Sequence, residues 1–97
     1  MKTIQYKSYE CTLEITKYHD PQNIAIVLHS IQGPVAKATI NLEVKLRDGL
    51  VAIKDYAENE GMLQTMIDAG VVSEPIETVD LSPWAQAHIC RLLVEQS

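Results

Sequence analysis

Apolar and polar residues alternate along much of the first half of the chain, and this pattern predicts antiparallel β-structure. Residues 9–16 have the period of a half-buried strand, and a shorter strand is expected at 2–7. Residues 24–29 are apolar at nearly every position, which is typical of a central strand with both faces covered. A second alternating stretch runs from Ala36 to Arg47, so its apolar face should join the core while its polar face meets water.

Asp48 and Gly49 follow this alternating stretch directly. An Asp-Gly pair between alternating hydrophobic residues is a strong signal for a two-residue β-hairpin loop. Such a loop would pair Leu46 with Val51. We therefore expect the strand after Gly49 to lie antiparallel to the strand before it, with Val51 on the core face.

The hydrophobic period changes from two to about 3.6 residues in the second half of the chain, which predicts helical structure. The first helix is expected at 59–69, followed by Gly70 in the left-handed conformation that ends many helices. Ser82 and Pro83 are typical of the N-cap and first position of a second helix, expected at 83–95. The apolar stripe of the first helix is Met62, Leu63, Met66 and Ile67, and that of the second is Trp84, Ala85, His88, Ile89 and Leu92.

These elements predict the fold class α+β. The expected architecture is an antiparallel sheet of about four to six strands with two helices, at about 59–69 and 83–95, packed on one face. Between the helices, Pro75 limits residues 71–81 to a short strand or a sheet edge. A chain of 97 residues suits a single domain, 1–97.

The predicted second helix has a further apolar side. Ala87, Cys90 and Val94 lie three and four residues apart, so they would form a narrow ridge nearly opposite the main apolar stripe. A helix with two apolar sides needs two partners, of which one would be the sheet and the other a second copy of the chain. Self-association through Ala87, Cys90 and Val94 is therefore one hypothesis.

Charge is unevenly distributed along the chain. The formal net charge is −5, yet residues 1–54 carry +2 and residues 55–97 carry −7, with Arg91 as the only basic residue of the second part. Nucleic-acid binding depends on Lys and Arg, so the second part is not expected to bind DNA or RNA directly. It suits a protein partner with a basic surface. The candidate contact residues are Asp55, Glu58, Glu60, Glu74, Glu77 and Asp80; the alternative is that these carboxylates only keep the protein soluble.

The sequence lacks the motifs of catalysis and of metal or cofactor binding. Its His and Cys residues do not occur at metal-ligand spacings, a GxSxG turn is absent, and the four glycines are too scattered for a phosphate loop. We therefore expect neither enzyme activity nor a cofactor. An enzyme that uses His29 or Cys11 is the least favoured alternative.

The cysteines and the hydropathy suggest a cellular setting. Cys11 lies on the apolar face of a predicted strand and is expected to be a buried free thiol rather than half of a disulfide with Cys90. No apolar run is long enough to span a membrane, and the first residues do not form a secretory signal. A cytoplasmic protein without membrane contact is the expectation.

Two segments resemble a known family. Residues 33–42 have the sequence GPVAKATINL and residues 51–63 have the sequence VAIKDYAENEGML. Together they are similar to a family of small bacterial proteins of unknown function that recur in phages, plasmids and integrative elements. The resemblance covers roughly residues 33–72 and implies a genomic setting and a fold, but no reaction. The matching positions are Ile40, Asn41, Leu42, Asp55, Asn59 and Gly70.

Charge and resemblance together predict a small acidic protein-binding module of phage or mobile-element origin. Small acidic proteins of mobile elements often inhibit host proteins whose nucleic-acid grooves are basic, so an anti-CRISPR-like inhibitor of a host defence protein is the leading interpretation. The alternative is a self-associating structural or accessory protein, such as a homodimer, without an inhibitory role.

Overall fold

The computed structural model describes residues 3–94, which form seven β-strands, one short α-helix and one turn of 3₁₀ helix. The strands are β1 (Thr3–Tyr6), β2 (Tyr9–Lys17), β3 (Ile24–Ser30), β4 (Gly33–Lys37), β5 (Leu50–Lys54), β6 (Glu77–Ser82) and β7 (Ala85–Arg91); the helix α1 is Met62–Asp68, and the 3₁₀ turn is Ala57–Asn59. All strand pairs are antiparallel. They form a four-stranded sheet of order β1-β2-β3-β4 and a three-stranded sheet of order β5-β7-β6.

The first sheet follows the alternation in the sequence. Cys11 of β2 is fully buried between exposed or half-buried neighbours, as a half-buried strand requires. β3 lies between β2 and β4, and its residues Ile26 and Leu28 are fully buried. The strands predicted at 9–16 and 24–29 are therefore confirmed, the second of them as a central strand.

The crossing segment, residues 38–40, joins the two sheets. On one edge, the Ala38 N–H donates to the Ile26 carbonyl of β3 at 2.8 Å. On the other edge, the Ile40 N–H donates to the Ala52 carbonyl of β5 at 2.9 Å. Because the same three residues pair with a strand of each sheet, the sheets are held together by backbone hydrogen bonds as well as by packing.

Thr39, in the middle of the crossing segment, adds side-chain bonds to this junction. It is buried and pairs with Ile53 of β5 through a β-bridge. Its hydroxyl accepts a hydrogen bond from the Ile26 N–H at 3.1 Å. The Tyr18 hydroxyl donates to the Thr39 carbonyl at 3.1 Å and lies 3.0 Å from the Thr39 Oγ1. Burial at this junction raises the pKa of the Tyr18 phenol.

Two clusters of buried side chains lie on opposite faces of the second sheet. Val51 and Ile53 of β5 belong to the larger cluster, whereas Leu50 and Ala52 belong to the smaller one. The alternation explains why β5 is apolar at four successive positions: both of its faces are covered. The larger cluster also includes residues of the first sheet and of α1, among them Ile4, Tyr6, Cys11, Ile26, Leu28, Met62 and Met66.

The helix predicted at 59–69 is confirmed as α1, although a separate 3₁₀ turn shortens its start. Gly70 ends it with φ +74°, a conformation that suits glycine because a side chain would be strained there. The Gly70 N–H donates to the Ile67 carbonyl and the Val71 N–H to the Met66 carbonyl, each at 3.0 Å. This pair of bonds is the Schellman motif, and it satisfies carbonyls at the end of the helix.

The prediction of a second helix at 83–95 is wrong. Residues 85–91 form β7, the central strand of the second sheet, and residue 95 lies outside the described residues. The segment fits a period of two as well as a helical stripe, since alanine and isoleucine suit either. The hydrogen bonds to β5 on one side and to β6 on the other stabilise this segment as a strand rather than a helix. One face of β7 carries Ala85, Ala87 and Ile89, and the other carries Gln86, His88 and Cys90.

The Ser82-Pro83 signal belongs to a turn rather than a helix start. The Ser82 hydroxyl accepts a hydrogen bond from the Trp84 N–H at 3.2 Å, as an N-cap serine would, but the chain then enters β7. With this helix absent, the predicted α+β fold with two helices on one face of a single sheet is wrong. The described chain is mainly antiparallel β-structure in two sheets.

The turn predicted at Asp48 and Gly49 is present, but the predicted hairpin between the strands before and after it is not formed. Gly49 has φ +83°, and the Leu50 N–H donates to the Arg47 carbonyl at 3.2 Å. β5 pairs with β7, however, and the stretch before the turn contributes only a single β-bridge to β5 in the described part of the chain.

Asn23 explains why the stretch predicted at 36–47 does not remain a strand beyond the crossing segment. This buried side chain donates to the Val44 carbonyl at 2.9 Å, and its oxygen accepts from the Leu46 N–H at 2.8 Å. Those backbone groups would otherwise be available to a hairpin partner. The amide therefore holds residues 41–47 as an irregular strap instead.

Replacement of Thr39 tests the junction between the sheets. Thr39→Val keeps the shape of the side chain but removes the acceptor for the buried Ile26 N–H, so we expect a loss of about 1–3 kcal/mol in the free energy of unfolding. Thr12→Val is the matched control, because Thr12 of β2 makes no side-chain hydrogen bond within residues 3–94. Urea unfolding measures both. Equal losses would contradict the role given to the Thr39 hydroxyl.

The cysteines give a second test of the packing. Cys11 and Cys90 are free and fully buried in the larger cluster. Burial raises the pKa of both thiols, that of Cys90 to about 11. We therefore expect neither thiol of the folded protein to react with a chromogenic disulfide reagent near pH 8, and both to react in denaturant. Rapid reaction of either thiol in the native protein would show that the cluster is open.

Candidate protein-binding groove

A groove of about 740 Å³ runs between the strap and β6. Its floor is the smaller apolar cluster, to which the strap contributes Leu42 and the second sheet contributes Leu50 and Ile89. We call it the β6 groove, and its volume is within the range of protein ligand pockets. It is lined by Ile40, Asn41, Leu42, Glu43, Val44, Lys45, Leu46, Arg47, Leu50, Tyr56, Glu77, Val79, Asp80, Leu81 and Ile89.

β6 forms one wall of the groove and is an edge strand. It pairs with β7 on one side only, and five of its six residues are exposed. An edge strand offers unpaired backbone groups to another chain. Large apolar side chains are exposed on and beside this edge: Ile76 is 50%, Leu81 is 40% and Trp84 is 88% exposed. Burial of such side chains stabilises protein complexes.

The two walls of the groove carry different charges. Glu77 and Asp80 line it from β6, whereas Lys45, Arg47 and Glu43 line it from the strap, so β6 contributes two negative charges and the strap one net positive charge. The Gln86 side-chain amide donates to the Asp80 Oδ1 at 2.8 Å, which orients this carboxylate at the edge of the sheet. A segment lying along β6 would therefore meet carboxylates on its β6 side.

The six predicted contact residues do not have one common role. Glu74, Glu77 and Asp80 are exposed on β6 or in the loop just before it. Asp55, Glu58 and Glu60 lie instead around the start of α1, outside the β6 groove.

Two carboxylates near the start of α1 take part in bonds within the chain. The Asp55 Oδ1 accepts a hydrogen bond from the Leu63 N–H at 2.9 Å, which satisfies one of the free N–H groups of the first helical turn. The Glu58 carboxylate accepts a hydrogen bond from the Lys54 ammonium. This bond holds the pKa of the Glu58 carboxyl below its usual range and raises the pKa of Lys54.

The ridge predicted for self-association is not formed. It required a helix, whereas Ala87 and Cys90 lie in β7, where both are fully buried. Ala87 belongs to the smaller cluster and Cys90 to the larger one, so they face opposite sides of the second sheet. Val94 packs against the larger cluster. The three side chains therefore do not provide a common surface for a second copy.

The groups named for the least favoured enzyme alternative are not arranged as a nucleophile and a base. The His29 Nε2 lies 2.7 Å from the Glu14 Oε1 at the surface of the first sheet. His29 pairs with Thr12, whose side chain points to the opposite face from that of Cys11. Within residues 3–94, no group of three or more His, Cys, Asp or Glu residues could hold a metal ion.

Sequence reasoning missed the groove because its two walls are distant in the chain. Residues 40–47 were expected to form a strand, and Trp84 was expected on the buried stripe of a helix. The available signal was Ser82-Pro83 after an alternating segment, which fits a turn between two strands as well as a helix start.

Comparisons with known proteins found no match to a family model, to a curated protein or to a solved structure. In the part of the chain that the structure describes, no helix has the length and hydropathy needed to cross a membrane.

Replacement of Asp55 tests whether its carboxylate stabilises the fold rather than contacting a partner. Asp55→Ala removes the acceptor for the Leu63 N–H, so we expect a loss of about 1 kcal/mol in the free energy of unfolding. Glu60→Ala is the control, because Glu60 is exposed and its carboxylate makes no hydrogen bond among the described residues. Thermal or urea unfolding distinguishes the two variants. Equal stability of both would argue against a capping role for Asp55.

Proposed function

We propose that this chain is a protein-binding module that binds an extended, basic segment of a partner protein alongside β6. The observation that carries the proposal is the coincidence of three features: an exposed edge strand, an apolar groove of about 740 Å³ beside it, and carboxylates at Glu77 and Asp80. Addition of a strand to a sheet edge is a common mode of peptide recognition.

The alternation of a β-strand explains how one segment would use all three features. Its backbone would pair with β6, and every second side chain would point towards the apolar floor formed by Leu42, Leu50 and Ile89. Lysine or arginine at an intervening position would lie close to Asp80, which shares the face of Gln86, whereas one on the floor side would lie close to Glu77, which shares the face of Ile89. Glu74, in the loop before β6, extends the same negative charge.

The negative charge of β6 favours binding of a different, basic protein over pairing with a second copy of this chain. Antiparallel pairing of β6 with its own copy, in the register that places Glu77 opposite Asp80, would bring the carboxylates of both chains close together. Like charges on neighbouring strands are destabilising. A basic segment gains from the same carboxylates, mainly in the rate and specificity of association.

The genomic setting implied by the family resemblance suggests a narrower form of this proposal. In a phage or another mobile element, a basic segment of a host nucleic-acid-binding protein would be the natural target. Its capture by the β6 groove would compete with nucleic acid for the same cations. The narrower proposal is then an inhibitor of a host defence protein, of the anti-CRISPR-like kind.

A short peptide of alternating valine and lysine, labelled with a fluorophore, is the probe for the binding mode. We expect the wild-type protein to bind it and to bind a valine–glutamate peptide of the same length much more weakly. Fluorescence anisotropy measures both affinities. Because exposed charge pairs are screened by salt, binding of the valine–lysine peptide should weaken at about 0.5 M salt.

Charge reversal on β6 tests the location. Glu77→Lys/Asp80→Lys should weaken binding of the valine–lysine peptide by about tenfold or more, without a large change in melting temperature, since both side chains are exposed. The control is Glu10→Lys/Glu60→Lys, which makes the same change in net charge at exposed residues outside the groove. If both double variants bind equally well, β6 is not the docking strand.

A further inference from the structure

A second groove lies on the other side of the crossing segment. It has a volume of about 610 Å³, and it shares Ile40 and Asn41 with the β6 groove as a common wall. We call it the lysine groove. Its lining residues include three lysines and three tyrosines, which are Lys7, Lys37, Lys54, Tyr6, Tyr9 and Tyr18.

The lysine groove is positive in a protein whose net charge is −5. Lys7, Lys37 and Lys54 line it, and Glu58 is the only acidic residue among its described lining residues. The Glu58 carboxylate is bonded to Lys54 and so neutralises one of the three cations. Lys37 makes no ion pair within residues 3–94. The groove therefore retains an excess of positive charge without a partner in the chain.

The ammonium groups of these lysines are positioned by tyrosine rings. The Lys7 Nζ lies 5.3 Å from the centre of the Tyr6 ring, and the Lys37 Nζ lies 5.2 Å from that of Tyr18. The Lys54 Nζ lies 5.2 Å from the centre of the Tyr56 ring. Cation–π contacts of this kind restrict long side chains, so less conformational entropy is lost when they bind an anion.

Two of the cations are also bonded to the same residue, Glu58. The Lys7 Nζ donates to the Glu58 carbonyl at 2.8 Å, while Lys54 donates to the Glu58 side chain. The Tyr6 hydroxyl donates to the Glu58 carbonyl at 3.1 Å. Since an ammonium group has three donors, Lys7 and Lys54 each retain hydrogen-bonding capacity for a ligand.

An exposed aromatic residue lies beside the cations. Tyr9 is 42% exposed and lines the groove together with Val35. An exposed aromatic ring is a platform on which a planar base can stack. Lysine binds phosphate as a compact point charge. Phosphate-binding cations and a stacking surface thus occur in one groove of suitable volume.

We propose that the lysine groove binds a mononucleotide, with its phosphates at Lys7, Lys37 and Lys54 and its base against Tyr9. A free nucleotide fits the observations better than a nucleic-acid strand does. A strand extends beyond one groove and needs further cations along its length. The surface outside this groove carries the excess of acidic residues that gives the chain its negative net charge.

Calorimetric titration with ATP, with inorganic triphosphate and with a short single-stranded DNA tests the proposal. We expect ATP to bind more tightly than triphosphate because only ATP can stack on Tyr9. Failure of ATP to bind at millimolar concentration would overturn the proposal, as would equal affinity for triphosphate. Tighter binding of the DNA than of ATP would also overturn it, in favour of a nucleic-acid groove.

Two variants locate the site. Lys37→Met should weaken ATP binding by about fivefold or more without a large change in the melting temperature, because Lys37 is exposed and makes no ion pair within residues 3–94, only the cation–π contact with Tyr18. Tyr9→Leu should weaken binding of ATP but not that of triphosphate. Lys45→Met is the control, since Lys45 is an exposed lysine that does not line the lysine groove. Equal effects of Lys37→Met and Lys45→Met would contradict the assignment.

Discussion

The hydrogen bonds on both edges of residues 38–40 are the constraint on which the rest of the structure depends. This crossing segment pairs with β3 of the first sheet and with β5 of the second, and the buried Thr39 hydroxyl adds a bond to β3. Both candidate sites follow from it. The residues before and within it line the lysine groove, and the strap that leaves it forms one wall of the β6 groove. A change at this junction would therefore disturb both grooves together.

The uneven charge along the chain becomes a separation of charge in space. Lysines from the β1–β2 turn, β4 and β5 line the lysine groove, while carboxylates from β6 and its preceding loop occupy the edge of the second sheet. Asp55 and Glu58, which the sequence places in the same acidic half, are used for bonds within the chain. The net charge of −5 is therefore the sum of a positive groove and a negative sheet edge, for which we propose ligands of opposite sign.

The sequence was sufficient for features that depend on local pattern. Period two located β2, the continuous apolar run located β3, and the apolar stripe with Gly70 located α1, because each signal arises from neighbouring residues. It was insufficient where distant contacts decide. β7 has an alanine-rich pattern that fits a helix or a strand, and its two neighbouring strands determine the outcome. The hairpin predicted at Asp48-Gly49 does not form because the Asn23 side chain hydrogen-bonds to backbone groups of the strap that a hairpin partner would need. Both grooves lie between such elements, so no linear motif marks them.

The central claim is that two grooves of opposite charge preference share the wall formed by Ile40 and Asn41. Backbone amide shifts in a two-dimensional NMR spectrum test it most directly, with the valine–lysine peptide and ATP added in turn to the same labelled sample. We expect the peptide to shift amides of β6 and the strap, ATP to shift those of Lys7, Tyr9 and Lys37, and only the shared wall to respond to both. Shifts at one common set of residues for both ligands, or at neither groove, would contradict it.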